Sequence, residues 1–478
     1  MAHSAAAAVV HNPYTGRPPS TTRMELFGSS GVRARALAEL TPAQALAVAQ
    51  AAGRVVGADR VAVARDTRTT GRLFVDSVAA GLASVGAAVD RLGVAPTPAL
   101  QAYCEREGVP GVMVTASHNP PEYNGIKLVG AGGVELTRER LEAVEELVGD
   151  APLTTWDDAG ESRAVEGARR RYREGVLAAV DRESIAAADL TVALDPGHGA
   201  GSLTSPRLFR ELGCEVVTVN AQPDGRFPGR DPEPVAENLE DLRRLVRAGE
   251  ADLGVAHDGD ADRAIFVDER GEMVEGDASL AALAAAELEP GDVAVSAVNA
   301  SQRLVDVVRT AGAELRTTPI GSTHIITAIR DIEAAGNTVP IAGEGNGGVL
   351  FPGYRVARDG AYTAARFLEL VAERPASAVV ADYDGYHNVR ENVGYGGERE
   401  RAAMLSAIED VAGATDASLD TTDGYRLGFD DGWVLARPSG TEPVLRVYAE
   451  AREPARAREL AALFVDPLRD VRAGHREG

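Results

Sequence analysis

A chain of 478 residues, 45% of them hydrophobic, is long enough for two to four domains with sizeable cores. Its 49 basic and 72 acidic side chains leave a net charge of −23, and the acidic residues are spread along the chain. That balance argues against nucleic acid or an anionic membrane as the main partner, and no apolar run reaches membrane length.

Residues 1–23 hold one short apolar stretch, Ala5–Val10, and then a Pro/Thr/Ser-rich tail. The stretch is too short for a signal core, so the segment reads as a disordered extension before Met24. From there, short β-branched runs alternate with helical stretches, the pattern of βαβ units. In the first third, Arg60–Ala64 and Gly111–Thr115 read as strands, and Thr70–Val85 and Arg138–Leu147 as helices. A second round has strands at Leu190–Leu194, Glu215–Val219 and Leu253–Ala256, with helices at Pro206–Leu212 and Glu237–Ala248. A third begins near Gly276 with an Ala/Leu-rich helix. It adds strands Val293–Ala297 and Glu314–Thr318, helices from Ser301 and Ser322, and a closing helix Asp359–Glu373. The tail differs. Strands at Tyr383–Val389, Tyr425–Phe429, Trp433–Ala436 and Leu445–Glu450 cluster around helices Glu398–Val411 and Pro454–Leu463, which suits an antiparallel sheet. The expected fold is α/β: three related α/β domains (24–152, 153–272, 273–376) with mixed, largely parallel sheets, plus a smaller α+β domain (377–478).

Cys104 and Cys214 are far apart and outside any metal-ligand spacing. They read as small buried hydrophobes of a chain in a reducing, cytoplasmic compartment. Strong acidity with a single lysine, Lys127, looks like the composition of salt-adapted proteins. Molar salt shortens the Debye length to a few ångströms and screens the self-repulsion. The melting temperature should therefore rise from 0.1 M to molar salt; an unchanged value would sink this expectation.

Four segments carry candidate chemistry. Thr115-Ala116-Ser117-His118-Asn119-Pro120 places a hydroxyl and an imidazole in a loop whose turn is set by Asn119-Pro120, with Lys127 just beyond. A serine in a turn is commonly only a turn residue; the neighbours His118 and Lys127 and a separate acidic loop set this one apart. No G-x-S-x-G elbow is present, so acyl transfer is not indicated. Asp258-Gly259-Asp260-Ala261-Asp262-Arg263 follows a buried strand, and three crowded carboxylates repel one another without a counter-ion. They suit Mg²⁺, which takes few carboxylates and bridges to phosphate oxygens. The competing reading is a solvated acidic turn. A calcium EF-hand is excluded because its sixth position, which must be glycine, is Arg263. Gly343-Glu344-Gly345-Asn346-Gly347-Gly348 matches a dinucleotide fingerprint by accident: Pro352 follows too soon for a helix, and Glu344 would repel a pyrophosphate. It reads better as a loop presenting Glu344 and Asn346 to hydroxyl groups, or as a plain turn. Arg437-Pro438-Ser439-Gly440-Thr441-Glu442-Pro443 combines an arginine, two hydroxyls and backbone N–H groups in a phosphate nest. Gly28–Arg33 and Arg65–Arg68 read as short basic loops, and His198 as a structural turn residue.

Together these motifs, in this order, resemble the α-D-phosphohexomutase family over the span from about Met24 to the C-terminal region. The resemblance implies three related α/β domains and a smaller fourth around a central cleft. It implies that Ser117 is phosphorylated at rest and that Asp258, Asp260 and Asp262 hold Mg²⁺ with the phosphoserine. The phosphoryl group would pass to a sugar phosphate, giving a sugar 1,6-bisphosphate that turns over in the cleft and returns its other phosphate. Lys127 matches the family's general acid/base, with its proton affinity expected to be tuned downward. His118 and Arg33 would assist at the phosphoserine. Arg263, Glu344 and Asn346 would contact the sugar phosphate, and Arg437, Ser439, Gly440 and Thr441 would clamp its non-reacting phosphate. Asn346 stands where many members have serine, Gly348 where many have histidine, and Ala34 where glycine is common; the pattern is closer to archaeal members. Gly321-Ser322-Thr323-His324 falls in a loop that helps set specificity. The Arg437 loop leans towards glucosamine phosphate, with mannose, glucose and pentose phosphates open. The partner implied is a small sugar phosphate, with a homodimer allowed. A metal-dependent phosphatase and a non-catalytic sugar-phosphate sensor are the two other classes consistent with these residues.

Overall fold

The computed structural model describes residues 27–28, 31–439 and 443–476. The expected extension 1–23 and two of the phosphate-loop candidates, Gly440 and Thr441, lie outside the described residues. The first sheet contains β1 (Val32–Arg35), β2 (Arg60–Arg65), β3 (Ala88–Val94), β4 (Gly111–Val114), β5 (Tyr123–Val129) and β6 (Ser162–Ala164), in the order β1-β5-β4-β2-β3-β6. β6 belongs to this sheet although it lies beyond residue 152. The second holds β7 (Thr191–Asp195), β8 (Glu215–Thr218), β9 (Leu253–Ala256), β10 (Ile265–Asp268) and β11 (Met273–Val274), in the order β11-β10-β9-β7-β8. The third holds β12 (Val293–Ala297), β13 (Glu314–Thr318), β14 (Ala342–Glu344), β15 (Gly348–Phe351) and β16 (Arg355–Arg358), in the order β13-β12-β14-β15-β16.

These three sheets share one plan. Parallel strands lead to a last parallel strand (β4, β9 or β14), and the chain then turns back into an antiparallel neighbour (β5, β10 or β15). The three turns between them are residues 115–122, 257–264 and 345–347. Crevices beyond the carboxyl ends of parallel strands are where α/β sheets place ligands. The helices between strands form because their apolar faces meet the sheets. In Pro42–Val56, for example, Ala45, Val48, Ala49 and Ala52 are buried, and Thr41 and Gln44 form a capping box at its start.

The fourth sheet is antiparallel throughout: β17 (His387–Gly394), β18 (Ser418–Asp420), β19 (Tyr425–Phe429), β20 (Gly432–Pro438) and β21 (Val444–Ala451), in the order β17-β21-β20-β19-β18. The helices Glu398–Ala414 and Pro454–Arg476 cover it. One apolar core runs without a break through the first three units, joining Leu100 and Met113 to Leu194, Phe266, Phe351 and Phe367. The fourth unit has its own core around Met404, Leu427, Val447, Leu460 and Phe464. The two meet in a small cluster of Val298, Trp433 and Leu435.

Two strand expectations need correction, and one strand was not foreseen. Lys127, for which no element was expected, sits on β5, between β4 and β1. Arg33 likewise stands on β1 rather than in a loop. β5 carries Asn124, Gly125 and Lys127 among its apolar residues, which breaks the pattern that marks a strand, and β1 is only four residues long. The strand expected at Tyr383–Val389 begins only at His387, because the carbonyls of Tyr383 and Tyr386 are taken by Arg303 of the third unit.

Candidate active site

The three equivalent turns converge. Ser117 lies in the first, fully buried, with φ of +51°, a left-handed conformation that costs a non-glycine residue about 1 kcal/mol or more. What holds it there is Arg68, whose five N–H groups all find acceptors. Nε donates to Asp66 Oδ2 at 3.0 Å; Nη1 donates to the carbonyls of Pro120 and Tyr123 at 2.6 and 2.9 Å; Nη2 donates to those of Ser117 and Asn119 at 2.9 and 2.6 Å. Thr115 adds a second brace, donating its hydroxyl to Asp66 Oδ2 (2.7 Å) and accepting from Ser117 N (2.9 Å). A buried arginine so fully satisfied rigidifies whatever it binds.

The second turn approaches from the next unit. A Cβ on Gly259 would lie 2.7 Å from the Ser117 carbonyl oxygen, so only glycine permits this closeness. Ser117 Oγ donates to Asp258 Oδ2 at 2.6 Å. Asp260 Oδ2 accepts from Lys127 Nζ (2.9 Å) and from Thr97 Oγ1 (2.5 Å), and the Thr97 backbone N–H donates to the Asp260 carbonyl (3.0 Å). Asp262 Oδ2 accepts from Lys127 Nζ (3.1 Å) and Arg358 Nη2 (2.7 Å). Arg263 Nε lies 3.9 Å from carboxylate oxygens of both Asp258 and Asp262.

One oxygen of each aspartate is thus used, and the other is not. Oδ1 of Asp258, Asp260 and Asp262 is buried without a hydrogen-bond partner, as are Arg33 Nε, His118 Nδ1 and Arg263 Nε. Orphaned polar atoms are rare in folded chains, and six in one place mark a site built for something more. The three carboxylates offer ligand atoms within 4.8 Å of one another, an all-oxygen, acidic donor set of the kind a hard divalent cation takes. The residues therefore fit Mg²⁺.

The electrostatics agree. Burial, with Asp260 and Asp262 beside it, pushes Asp258 up to about 8. Burial also pushes Asp262 up, but Arg358, Lys127 and Arg263 outweigh it and hold it well below the usual carboxylate range. For Lys127, burial pulls down, and Asp260 and Asp262 outweigh it, so its ammonium is held above the ordinary lysine range. This direction is opposite to the expected downward tuning, because the two carboxylates outweigh burial. Arg263, burial and Arg33 keep His118 far below the imidazole range, hence neutral.

The third turn joins through Ala264 N, which donates to the Gly347 carbonyl at 3.0 Å. Glu344, 7% exposed, ends β14, and Asn346 bridges the turn, its Nδ2 3.4 Å from Glu344 Oε2 and its Oδ1 accepting from Gly348 N at 3.0 Å. The structure thus brings Ser117, His118, Lys127, Arg33, Asp258, Asp260, Asp262, Arg263, Glu344 and Asn346 to one cleft. Arg437 stands apart, at the end of β20 in the fourth unit, its Nε 3.0 Å from Asp423 Oδ2. Ser439 follows it, its N–H donating to the Val444 carbonyl. The segment Gly321–His324 is not a loop: Ser322, Thr323 and His324 form the first turn of the helix Ser322–Ala334, with Gly321 at its cap. Ser322 donates to Glu135 Oε2 at 3.0 Å, and His324 lines a cavity of about 460 Å³ with Arg138 and Arg316 that none of the site residues borders.

The motif reading did not single out Thr97 or Arg358, and took Arg65–Arg68 for a weak basic loop. Thr97 and Arg68 follow the ends of β3 and β2, just as Ser117 and Asp258 follow β4 and β9. The signal was position after a parallel strand, which no local motif displays. His198 is structural: its Nδ1 is 2.8 Å from the Gln222 carbonyl oxygen and its Nε2 accepts from Gly229 N.

Family models of phosphoglucomutase/phosphomannomutase match in series: alpha/beta/alpha domain I at residues 24–153, domain II at 170–271, domain III at 275–386 and the C-terminal domain at 397–466. The chain belongs to the phosphoglucomutase/phosphomannomutase family of intramolecular phosphotransferases. It is 41% identical over 464 residues to a phosphoglucomutase/phosphomannomutase of Thermococcus kodakarensis, covering 94% of this chain and all of that one. It is 42% identical over 450 residues to a probable phosphoglucosamine mutase of Methanopyrus kandleri, covering 93% and 97%. Among solved structures, a family member from Burkholderia thailandensis superimposes with a TM-score of 0.81 at 28% identity, covering 94% of this chain and 98% of that one.

Proposed function

We propose that the protein interconverts a sugar 1-phosphate and a sugar 6-phosphate through phosphorylated Ser117 and a sugar 1,6-bisphosphate, with glucosamine phosphate as the sugar. The observation that carries this reading is the hydroxyl of Ser117, 2.6 Å from Asp258, beside a buried trio of carboxylates that each keep one oxygen without a hydrogen-bond partner while Lys127 donates to two of them. Asp258, Asp260 and Asp262 would hold Mg²⁺ beside the phosphoserine. When bound, the cation supplies charge neutralisation for phosphoryl transfer.

The chain's own groups do the rest. Arg33 Nε, His118 Nδ1 and Arg263 Nε, orphaned in this structure, meet the oxygens of the phosphoserine. Glu344 and Asn346 receive the sugar hydroxyls, and Arg437, Ser439, Gly440 and Thr441 hold the phosphate that is not reacting. As the bond from phosphorus to Ser117 Oγ breaks and that to the sugar oxygen forms, Lys127 gives its proton to Ser117 Oγ and takes the one released by the sugar hydroxyl. The bisphosphate then presents its other phosphate to Ser117. Cys104 and Cys214, both buried and unbridged, suit a reducing cytoplasm.

The preference for glucosamine phosphate rests on the Arg437 loop and on the archaeal relatives called probable phosphoglucosamine mutases. A second reading, glucose or mannose phosphate, is favoured by the Thermococcus relative. The test offers glucosamine 6-phosphate, mannose 6-phosphate, glucose 6-phosphate and ribose 5-phosphate in molar salt with Mg²⁺ and trace glucose 1,6-bisphosphate, followed by ³¹P NMR. The expected result is 1-phosphate without inorganic phosphate, fastest from glucosamine 6-phosphate and lost in Ser117→Ala. Inorganic phosphate as the main product would replace this reading with a phosphatase.

A further inference from the structure

Arg358 comes from the third unit, at the end of β16, and is 6% exposed. It crosses to the metal-fitting loop of the second, where its Nη2 meets Asp262 Oδ2 at 2.7 Å, the same oxygen that Lys127 of the first unit holds at 3.1 Å. One carboxylate oxygen is therefore gripped from two domains, and Asp262 Oδ1 is left unpartnered. The arginine reaches this place because residue 348 has no side chain. A Cβ on Gly348 would lie 2.7 Å from Arg358 Cδ and 3.6 Å from its Nη1. Gly348, which departs from the histidine of many family members, is thus the floor of the channel that the arginine stem fills. The backbone around Arg358 is pinned as well: Arg355 pairs with Glu105 of the first unit at 2.8 Å, and Asp359 accepts from Tyr172 Oη at 2.6 Å and caps the helix Gly360–Glu373.

We propose that Arg358 is a positioning residue for phosphoryl transfer, admitted by Gly348, which with Lys127 holds one oxygen of Asp262 so that the other is kept in place for the divalent cation. This rests on the mutase reading above. It makes the third unit, which reads the sugar, a part of the machinery that aligns the reacting end. A guanidinium is suited to the task because its planar fork stays charged and fixes a carboxylate's direction, where an ammonium fixes only its distance.

The test compares wild type with Arg358→Met, which keeps an apolar stem over Gly348 and removes the charge, and with Gly348→Ala, which adds a methyl against Arg358 Cδ. Wild-type turnover by ³¹P NMR is the control: its absence sinks the mutase reading, whereas the comparison below bears on Arg358 alone. Arg358→Met is expected to fold, to lose about 10²-fold in kcat and to keep KM within about threefold, as for a group acting on the transition state. Gly348→Ala should lose part of the same kcat, and the double variant should have a kcat no lower than Arg358→Met; because the new methyl also lies 3.0 Å from Asn346 Oδ1, any further loss should fall on KM. A readout independent of turnover is the EPR spectrum of bound Mn²⁺, expected to broaden in Arg358→Met as Asp262 loses its fixed orientation. The proposal is overturned if Arg358→Met keeps kcat within about threefold of wild type, if the Mn²⁺ spectrum is unchanged, or if the two losses in kcat multiply in the double variant.

Discussion

The first three units and the fourth handle a loop in opposite ways. In the first three, the working turns join a parallel strand to an antiparallel one, place Ser117 and the three aspartates in the interior, and are cross-braced by ion pairs and backbone hydrogen bonds between units. One apolar core is shared by all three, beside the clusters each keeps on its other side. In the fourth, the phosphate-loop candidates sit on a hairpin of an antiparallel sheet with a separate core, joined to the rest by a three-residue apolar cluster and a few polar links. The difference suits the proposed chemistry. Phosphoryl transfer needs its groups held to within fractions of an ångström, whereas a clamp that accepts either end of a bisphosphate would gain from a unit that can shift. On that reading, a rigid centre and an adjustable clamp are built from different sheet types and different depths of burial.

The comparison breaks most sharply at the centre. Asp258→Ala should lower kcat by at least about 10³-fold, because it removes both the partner of Ser117 and one of three carboxylates that together fit Mg²⁺. Chelation by EDTA should do the same to wild type and reverse on adding Mg²⁺. Conversion by ³¹P NMR reads both, and an active Asp258→Ala enzyme would remove the metal loop from the mechanism.

Next comes Arg68→Met. It strands four backbone carbonyls and Asp66 in the interior. Breaking a buried pair of this kind costs about 3–5 kcal/mol, so denaturant unfolding should shift strongly, and kcat should fall on the order of 10²-fold as Ser117 leaves its strained conformation. A variant of wild-type stability would mean that the loop holds itself.

How much of this was legible beforehand follows the same division. The motifs around Ser117, Asp258, Glu344 and Arg437 could be read because each concentrates reactive or glycine residues within a few positions. The alternation of strands and helices could be read because βαβ units repeat. Arg68 and Arg358 could not, since each acts on residues far along the chain: Arg68 on a loop about fifty residues on, Arg358 on a carboxylate about a hundred residues back. Nor could the strand character of Lys127 and Arg33: Asn124, Gly125 and Lys127 interrupt the apolar pattern of β5, and the alternation of β1 lasts only four residues. The sign of the Lys127 shift failed for a related reason. Burial was foreseeable, but the two carboxylates at its tip belong to another domain.

At the junction, the effect should be smaller and of another kind. Glu450, fully buried on β21, accepts from Ser301 Oγ (2.7 Å) and from the backbone N–H of Gln302 (2.6 Å), at the start of the helix Gln302–Ala311 in the third unit. Trp433 Nε1 donates to the same carboxylate at 3.3 Å. A carboxylate at a helix N-terminus is stabilising through both the hydrogen bonds and the dipole. Glu450→Ala should therefore loosen the fourth unit, raising KM about tenfold while kcat changes little. Equal losses in kcat would mean that the fourth unit acts on the chemistry directly and that the division drawn above is wrong.

The smallest effect should come from Asp423, and it should be a gain. Asp423 Oδ2 lies 3.0 Å from Arg437 Nε and accepts from Ile320 N at the same distance. It thus ties Arg437 to the segment just before the helix Ser322–Ala334. On the proposed function, an incoming phosphate would compete with this carboxylate for Arg437. Both side chains are only about one-sixth exposed, so the pair is worth more than a surface bridge, yet salt still reaches it. Asp423→Asn keeps an acceptor for Ile320 and removes the charge. It should lower KM for the sugar phosphate by about two- to fivefold at low salt, with the advantage shrinking in molar salt as screening weakens the pair in wild type. A rise in KM instead would mean that Asp423 orients Arg437 for phosphate rather than competing with it, and the clamp would then be prebuilt rather than adjustable.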